Sequence, residues 1–305
     1  MRARRAGAVA IAVALANLPS PFAQYGPPGG EVLPNNYPPP IPERLGPAPS
    51  LKFELAREIP LTGPIASPEA WAEGDAVLVP LGSGAARVDP SAAAPPQNGV
   101  SAEPPPDPSG AWIVSAEGTR RFRATAQGVI EAQKKRKNGT KWKRSWHIVA
   151  PNATPAPPIL LGPRLCYAGL DDRVTCVKAS NGHRLWTTDL GDRLSRPIAR
   201  WPSASPARVA PGNGDRTIEG EILLAVPDNG ASMIALDAYD GRRIATYDLP
   251  SEERLVSGPL VFADDGIVAV REAFDKTQVA VLVLRLVHNE APPAAPAAPA
   301  TPTGR

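Results

Sequence analysis

The chain has 305 residues, 43% of them hydrophobic and only 5% aromatic, enough for one large all-β domain or two small ones. Its formal charge is +3, and Arg2, Arg4 and Arg5 account for all of it, since residues 1–24 hold no acid. The remainder is balanced, which excludes a partner argument based on a uniformly basic surface.

Residues 1–23 read as an export signal: the three arginines precede an Ala/Val/Ile run from Ala6 to Ala16, with small residues suited to cleavage after Ala16 or Ala23. That run is well short of the ~20 residues of a membrane-spanning helix, so a soluble exported protein without a transmembrane span is expected. Residues 24–50 form a Pro-rich linker. The next strand-like runs are Pro64-Ile65, Val77 to Leu81 and Ala86 to Val88, followed by a Pro-rich insertion near residues 90–108. Trp112 to Ala116, Val129 to Gln133 and Lys141 to Trp146 lead into the clearest unit, Pro158 to Leu190, with short apolar runs separated by Asp171-Asp172 and Ser180-Asn181-Gly182. A further unit begins at Pro197, is interrupted near 203–217, and resumes at Ile222 to Val226, Met233 to Leu236 and Arg243 to Tyr247. The last starts at Pro259, with Ile267 to Arg271 and Val279 to Leu286. Residues 289–305 are an Ala/Pro tail.

Three hairpins share one pattern: an apolar run, a polar turn with Gly139, Gly182 or Gly241, a basic residue or two, then a second apolar run. The glycines are 43 and 59 residues apart, the excess matching the 203–217 insertion, and such periods mark propellers or solenoids. An all-β chain of about four, possibly five, four-stranded antiparallel blades over residues 51–288 is expected, forming a small or partial β-propeller.

The phrases Ala179-Ser180-Asn181-Gly182-His183-Arg184-Leu185-Trp186 and Ala235-Leu236-Asp237-Ala238-Tyr239-Asp240-Gly241 resemble the repeat of the pyrroloquinoline-quinone-like (PQQ-like) β-propellers. That superfamily includes quinoprotein dehydrogenases and the outer-membrane assembly scaffold BamB. The resemblance implies a glycine that permits the turn and a tryptophan that packs between blades, here Trp142 and Trp186. In the third copy Ala245 stands at the tryptophan position.

Seven cations fall within eleven residues: Lys134, Lys135, Arg136, Lys137, Lys141, Lys143 and Arg144, with Trp142 and Trp146 nearby. This is a candidate interaction loop for an anionic surface or acidic partner, with a solvated hairpin tip as the ordinary alternative. Nucleic acid is not expected as a partner of an exported protein. Cys166 and Cys176 flank the turn at Asp171. A three-residue loop would oppose them and permit a disulfide, whereas a two-residue loop would point them to opposite faces as two buried thiols. The acidic turns Asp171-Asp172 and Asp264-Asp265-Gly266 lack the ligand spacing of a calcium loop, and His147, His183 and His288 are scattered, so no metal site or catalytic residue is assigned. No cofactor is expected, because the dehydrogenases of the superfamily would require a vicinal Cys pair, calcium ligands and a catalytic Asp that do not map here. The expected function is therefore a non-catalytic exported scaffold that binds proteins of a bacterial cell envelope in the periplasm or beyond. A PQQ-dependent oxidoreductase, or binding of an anionic polymer or membrane surface through residues 134–144, is the alternative.

Overall fold

The computed structural model describes residues 51–101, 110–136, 139–150, 152–153, 156–202, 221–262 and 266–288. The export signal, the linker at 24–50, the 203–217 insertion and the 289–305 tail lie outside the described residues. Among the described residues there is no helix, and every sheet is antiparallel.

Strand β1 (Leu51–Leu61) opens the described chain. The first blade is β2 (Trp71–Glu73), β3 (Ala76–Leu81), β4 (Gly84–Val88) and β5 (Gln97–Val100). The second is β6 (Ile113–Val114), β7 (Arg120–Ala124), β8 (Val129–Lys135) and β9 (Trp142–Val149), and the third is β10 (Ile159–Leu161), β11 (Arg164–Ala168), β12 (Arg173–Lys178) and β13 (Arg184–Asp189). The fourth is β14 (Ala199–Trp201), β15 (Ile222–Ala225), β16 (Ser232–Asp237) and β17 (Arg243–Asp248). The fifth contains β18 (Glu253–Leu255), β19 (Leu260–Val261), β20 (Ile267–Ala273) and β21 (Val279–His288), with β1 added at its edge. Among the described residues the architecture is a partial or small β-propeller of five blades, the upper of the two expected counts.

Two differences from the sequence reading concern the ends. Strand β5 lies inside the Pro-rich 90–108 stretch, whose residues 97–100 supply the fourth strand of the first blade. Ile65 forms only an isolated bridge to Leu81, and the first blade instead begins at Trp71. The longest pairing, β1 with β21 from Leu51↔His288 to Leu61↔Val279, joins the first and last described strands within the fifth blade. In the first four blades the fourth strand follows the third in sequence. In the fifth it comes from the opposite end of the chain, so the last blade is complete only when the propeller is.

Packing follows from strand alternation, because residues two apart share a face. In β11, Cys166 and Ala168 face the fourth blade, meeting Leu223, Ala225, Ile234 and Leu236, while Leu165 and Tyr167 face the second, meeting Phe122, Ala124, Ile130 and Ala132. The fourth blade's other face, Ile222, Leu224, Met233 and Ala235, packs on Ile267, Ala269, Leu282 and Leu284 of the fifth. Val268, Val270, Val281 and Val283 then pack on Val77, Val79 and Val88 of the first. A blade buried on both faces needs nearly continuous apolar strands, which explains the run Val279-Ala280-Val281-Leu282-Val283-Leu284. Among the described residues no apolar cluster joins the first blade to the second.

Candidate functional site

The second blade differs from its neighbours in its hairpin and in its outer face. The seams it forms with the third blade, and the third with the fourth, share one construction. Trp146 lies against Gly182 and donates from Nε1 to the Ala179 carbonyl at 3.0 Å; Trp186 lies against Gly241 and donates to the Ala238 carbonyl at 3.2 Å. Both glycines are left-handed, with φ of 77° and 76°, and a Cβ at Gly241 would come within 2.5 Å of the Trp186 ring. Glycine is required there twice over, by the turn and by the approach of the indole.

An arginine completes each seam. Arg120 donates to the Ala179 and Ser180 carbonyls, at 3.4 and 3.1 Å. Arg164, almost fully buried, donates to the Ala238 and Tyr239 carbonyls and places its guanidinium 4.7 Å from the centre of the Tyr239 ring. These arginines escape a reading focused on the hairpin glycines, although a signal exists: Gly118-Thr119-Arg120 and Gly162-Pro163-Arg164 recur 44 residues apart. The fourth blade has Ile222 and Ala245 at the corresponding positions, and its seam with the fifth is apolar.

The docking tryptophan of the second blade is thus Trp146 and not Trp142. Register explains the substitution. Trp146 pairs with Ala132 as Trp186 pairs with Cys176 and Ala245 with Ala235, each beside the same one-residue bulge. Beyond the bulge, ten residues separate the paired Gln133 and Arg144, against six between Val177 and Arg184 or Leu236 and Arg243. Trp186 and Ala245 lie four residues after Gly182 and Gly241, so the same count from Gly139 ends at Lys143, three residues short of Trp146. The extra length extends the hairpin by the pairs Lys134↔Lys143 and Lys135↔Trp142.

That extension carries the basic segment. Lys134, Lys135, Arg136, Lys143 and Arg144 line a groove of about 700 Å³, together with the hydroxyl-bearing Thr119 and Ser145. Lys141 is exposed beside the turn, and Lys137 lies outside the described residues. None of the five lining cations forms an ion pair among the described residues. Lys134 stands directly between Arg120 and Lys143 across three strands.

The outer face of the same blade, opposite Phe122 and Ile130, holds a stack of alternating indole and guanidinium groups. Arg121 lies 4.6 Å from the Trp142 ring and 4.2 Å from Trp112, and Arg123 lies 4.4 Å from Trp112. Arg121 also donates twice to Gln133, and Arg123 forms a two-nitrogen bond to Glu131. Burial acts to raise the Glu131 carboxyl pKa, but hydrogen bonds from Gln133 and Arg123 outweigh it and hold the group below the usual range. Val114 and Val149 on this blade are 53% and 69% exposed.

Cys166 and Cys176 are opposed across β11 and β12 and joined by a disulfide within the apolar layer between the third and fourth blades. Their loop has three residues, Leu170 to Asp172, closed by the Gly169 N–H donating to the Arg173 carbonyl, with Asp172 in the left-handed region at φ 68°. A buried pair ten residues apart does not fit the vicinal thiols that a quinone site of the dehydrogenase kind would use. His147, His183 and His288 are exposed on separate strands or turns, and no group of three metal-ligating side chains exists among the described residues. Asp264 and Asp265 lie outside them.

No family model and no curated protein matches the chain. Among solved structures, BamB from Moraxella catarrhalis is similar at 12% identity and a TM-score of 0.38, over 74% of this chain and 63% of that one. Saccharomyces cerevisiae Sqt1 is similar at 10% identity and a TM-score of 0.40, over 79% and 66%. Glutaminyl cyclase from Myxococcus xanthus is similar at 13% identity and a TM-score of 0.34, over 80% of this chain and all of that one. The chain spans less than two thirds of the BamB and Sqt1 chains.

Proposed function

We propose that this chain is an exported, non-catalytic scaffold of the bacterial cell envelope, a PQQ-like propeller whose second blade presents a contact surface to partner proteins. The observation that carries this reading is the outer face of that blade. Tryptophan and arginine, with tyrosine, are the side chains most enriched at the energetic centres of protein interfaces, because they bury large areas and, for arginine, offer several directed donors. Here Trp112 and Trp142 are held in place by Arg121 and Arg123, with exposed Val114 and Val149 on the same blade. The residues are pre-ordered, so a partner would not bear the cost of fixing them. The Cys166–Cys176 disulfide supports an oxidising compartment.

A photo-crosslinking residue at Val149, in the protein expressed in its native envelope, should capture one or a few defined neighbours. Trp112→Ala should reduce that capture while leaving the protein folded. Capture unchanged by Trp112→Ala, or no captured protein at all, would reject the assignment. So would a bound chromophore with dye-linked dehydrogenase activity after incubation with pyrroloquinoline quinone and calcium.

A further inference from the structure

We infer that the groove at the end of the β8–β9 hairpin, next to the protein-docking face of the same blade, is a binding site for a linear phosphate polymer. Five cations, Lys134, Lys135, Arg136, Lys143 and Arg144, line one side-chain cleft of about 700 Å³. The remaining lining groups, Thr119 and Ser145, carry hydroxyls that can donate to phosphate oxygens.

The arrangement opposes folding stability. Lys134 has Arg120 directly opposite on one side and Lys143 on the other, and like charges at such positions destabilise a sheet. Arg120 has a structural task at the Ala179 and Ser180 carbonyls; among the described residues the Lys134 and Lys143 side chains form no hydrogen bond or ion pair. A single edge charge suffices to discourage aggregation at a sheet margin. A cluster of cations with no acid among the lining residues exceeds that need, and an anionic ligand removes the repulsion it creates.

Charge density selects the ligand. Neighbouring strands lie about 4.8 Å apart, so Lys134 and Lys143, directly opposed on β8 and β9, offer cations at that step. An extended acidic peptide presents carboxylates to one side only every second residue, about 6.7 Å apart, and leaves cations unmatched. A chain of phosphates carries a charge at every unit. A membrane surface fits less well, because every lining residue is a cation or a hydroxyl-bearing residue and none could insert into the acyl layer. Trp142, the large apolar residue of the extension, is half-buried with the Arg121 guanidinium 4.6 Å from its ring.

The test uses the full chain with inorganic polyphosphate of defined length, polyglutamate of matched charge, and phosphatidylglycerol vesicles. Polyphosphate should bind in a salt-sensitive manner and raise the melting temperature, whereas polyglutamate should bind at least about tenfold more weakly. Lys134→Gln/Lys143→Gln should weaken polyphosphate binding by about tenfold or more, the loss of two charge contacts, and should itself melt higher than the parent. The control Lys52→Gln/Arg285→Gln, the same charge change on β1 and β21, should bind as the parent does. Equal loss in the control, binding of polyglutamate as tight as polyphosphate, or retention by vesicles alone would overturn the site.

Discussion

The second and third blades have the same strand order and the same bulge, yet they use their surfaces differently. The third is buried on both faces and stapled by Cys166–Cys176; the Ala179 and Ser180 carbonyls of its hairpin turn accept from Trp146 and Arg120 of the second blade. The second buries only the face that meets the third. Its other face carries charged and indole groups, and its hairpin is longer by two residue pairs. Packing demands that fix both faces of the third blade's inner strands are thus relaxed on one face of the second, and the residues freed from them are the cationic and aromatic ones. A repeat fold can hold several copies to structural duty while one copy diverges.

The comparison is most sharply tested at the seam tryptophans. Trp186→Ala removes a buried indole and should destabilise by about 3–5 kcal/mol, read by denaturant unfolding. Trp146→Ala, at a half-buried site with the same carbonyl bond, should cost less, about 2–3 kcal/mol. Trp142→Ala should cost under about 1 kcal/mol; a cost equal to that of Trp146→Ala would restore it as the docking residue.

Replacing both cysteines by alanine removes a cross-link over ten residues and should cost about 2–3 kcal/mol. A loss confined to the second blade, detected by hydrogen exchange, would contradict its placement between the third and fourth. Gly241→Ala should cost about 2 kcal/mol through its left-handed backbone and its contact with Trp186. Combined with Trp186→Ala the two effects should fall short of their sum, because they share one contact.

The smallest effect concerns the outer face of the second blade. Glu131 is held below its ordinary value of 4.5, so its contribution is complete above that pH and is lost as pH falls through the lower folded value. Glu131→Gln should remove less than about 1 kcal/mol at neutral pH and nothing in strong acid. A variant less stable at low pH than at neutral pH, relative to the parent, would reverse that sign.

Several features were legible because they are local. The hairpins at Gly182 and Gly241, the alternation of β11 and β12, and the concentration of cations at 134–144 depend on neighbours a few residues away. Strand β7 is hard to see in the sequence, since Arg120-Arg121-Phe122-Arg123-Ala124 reads as a basic stretch. Its period of two is nonetheless present, with Phe122 and Ala124 facing the third blade and Arg121 and Arg123 facing outward. Strand β5 was hidden by the prolines around it.

What the sequence alone determined is the repeating unit: a short apolar strand, a glycine turn and a second strand, written often enough to require blades that cover one another. Only the tertiary structure decided that Leu51–Leu61 completes the last blade, that Trp146 rather than Trp142 enters the seam, and which blade keeps an unpaired face. The physical reason is distance along the chain. Turn geometry and side-chain alternation act within a few residues and leave a period to be read. The β1–β21 ladder joins residues more than two hundred positions apart, and seam contacts depend on hairpin length and register, so neither leaves a local signature.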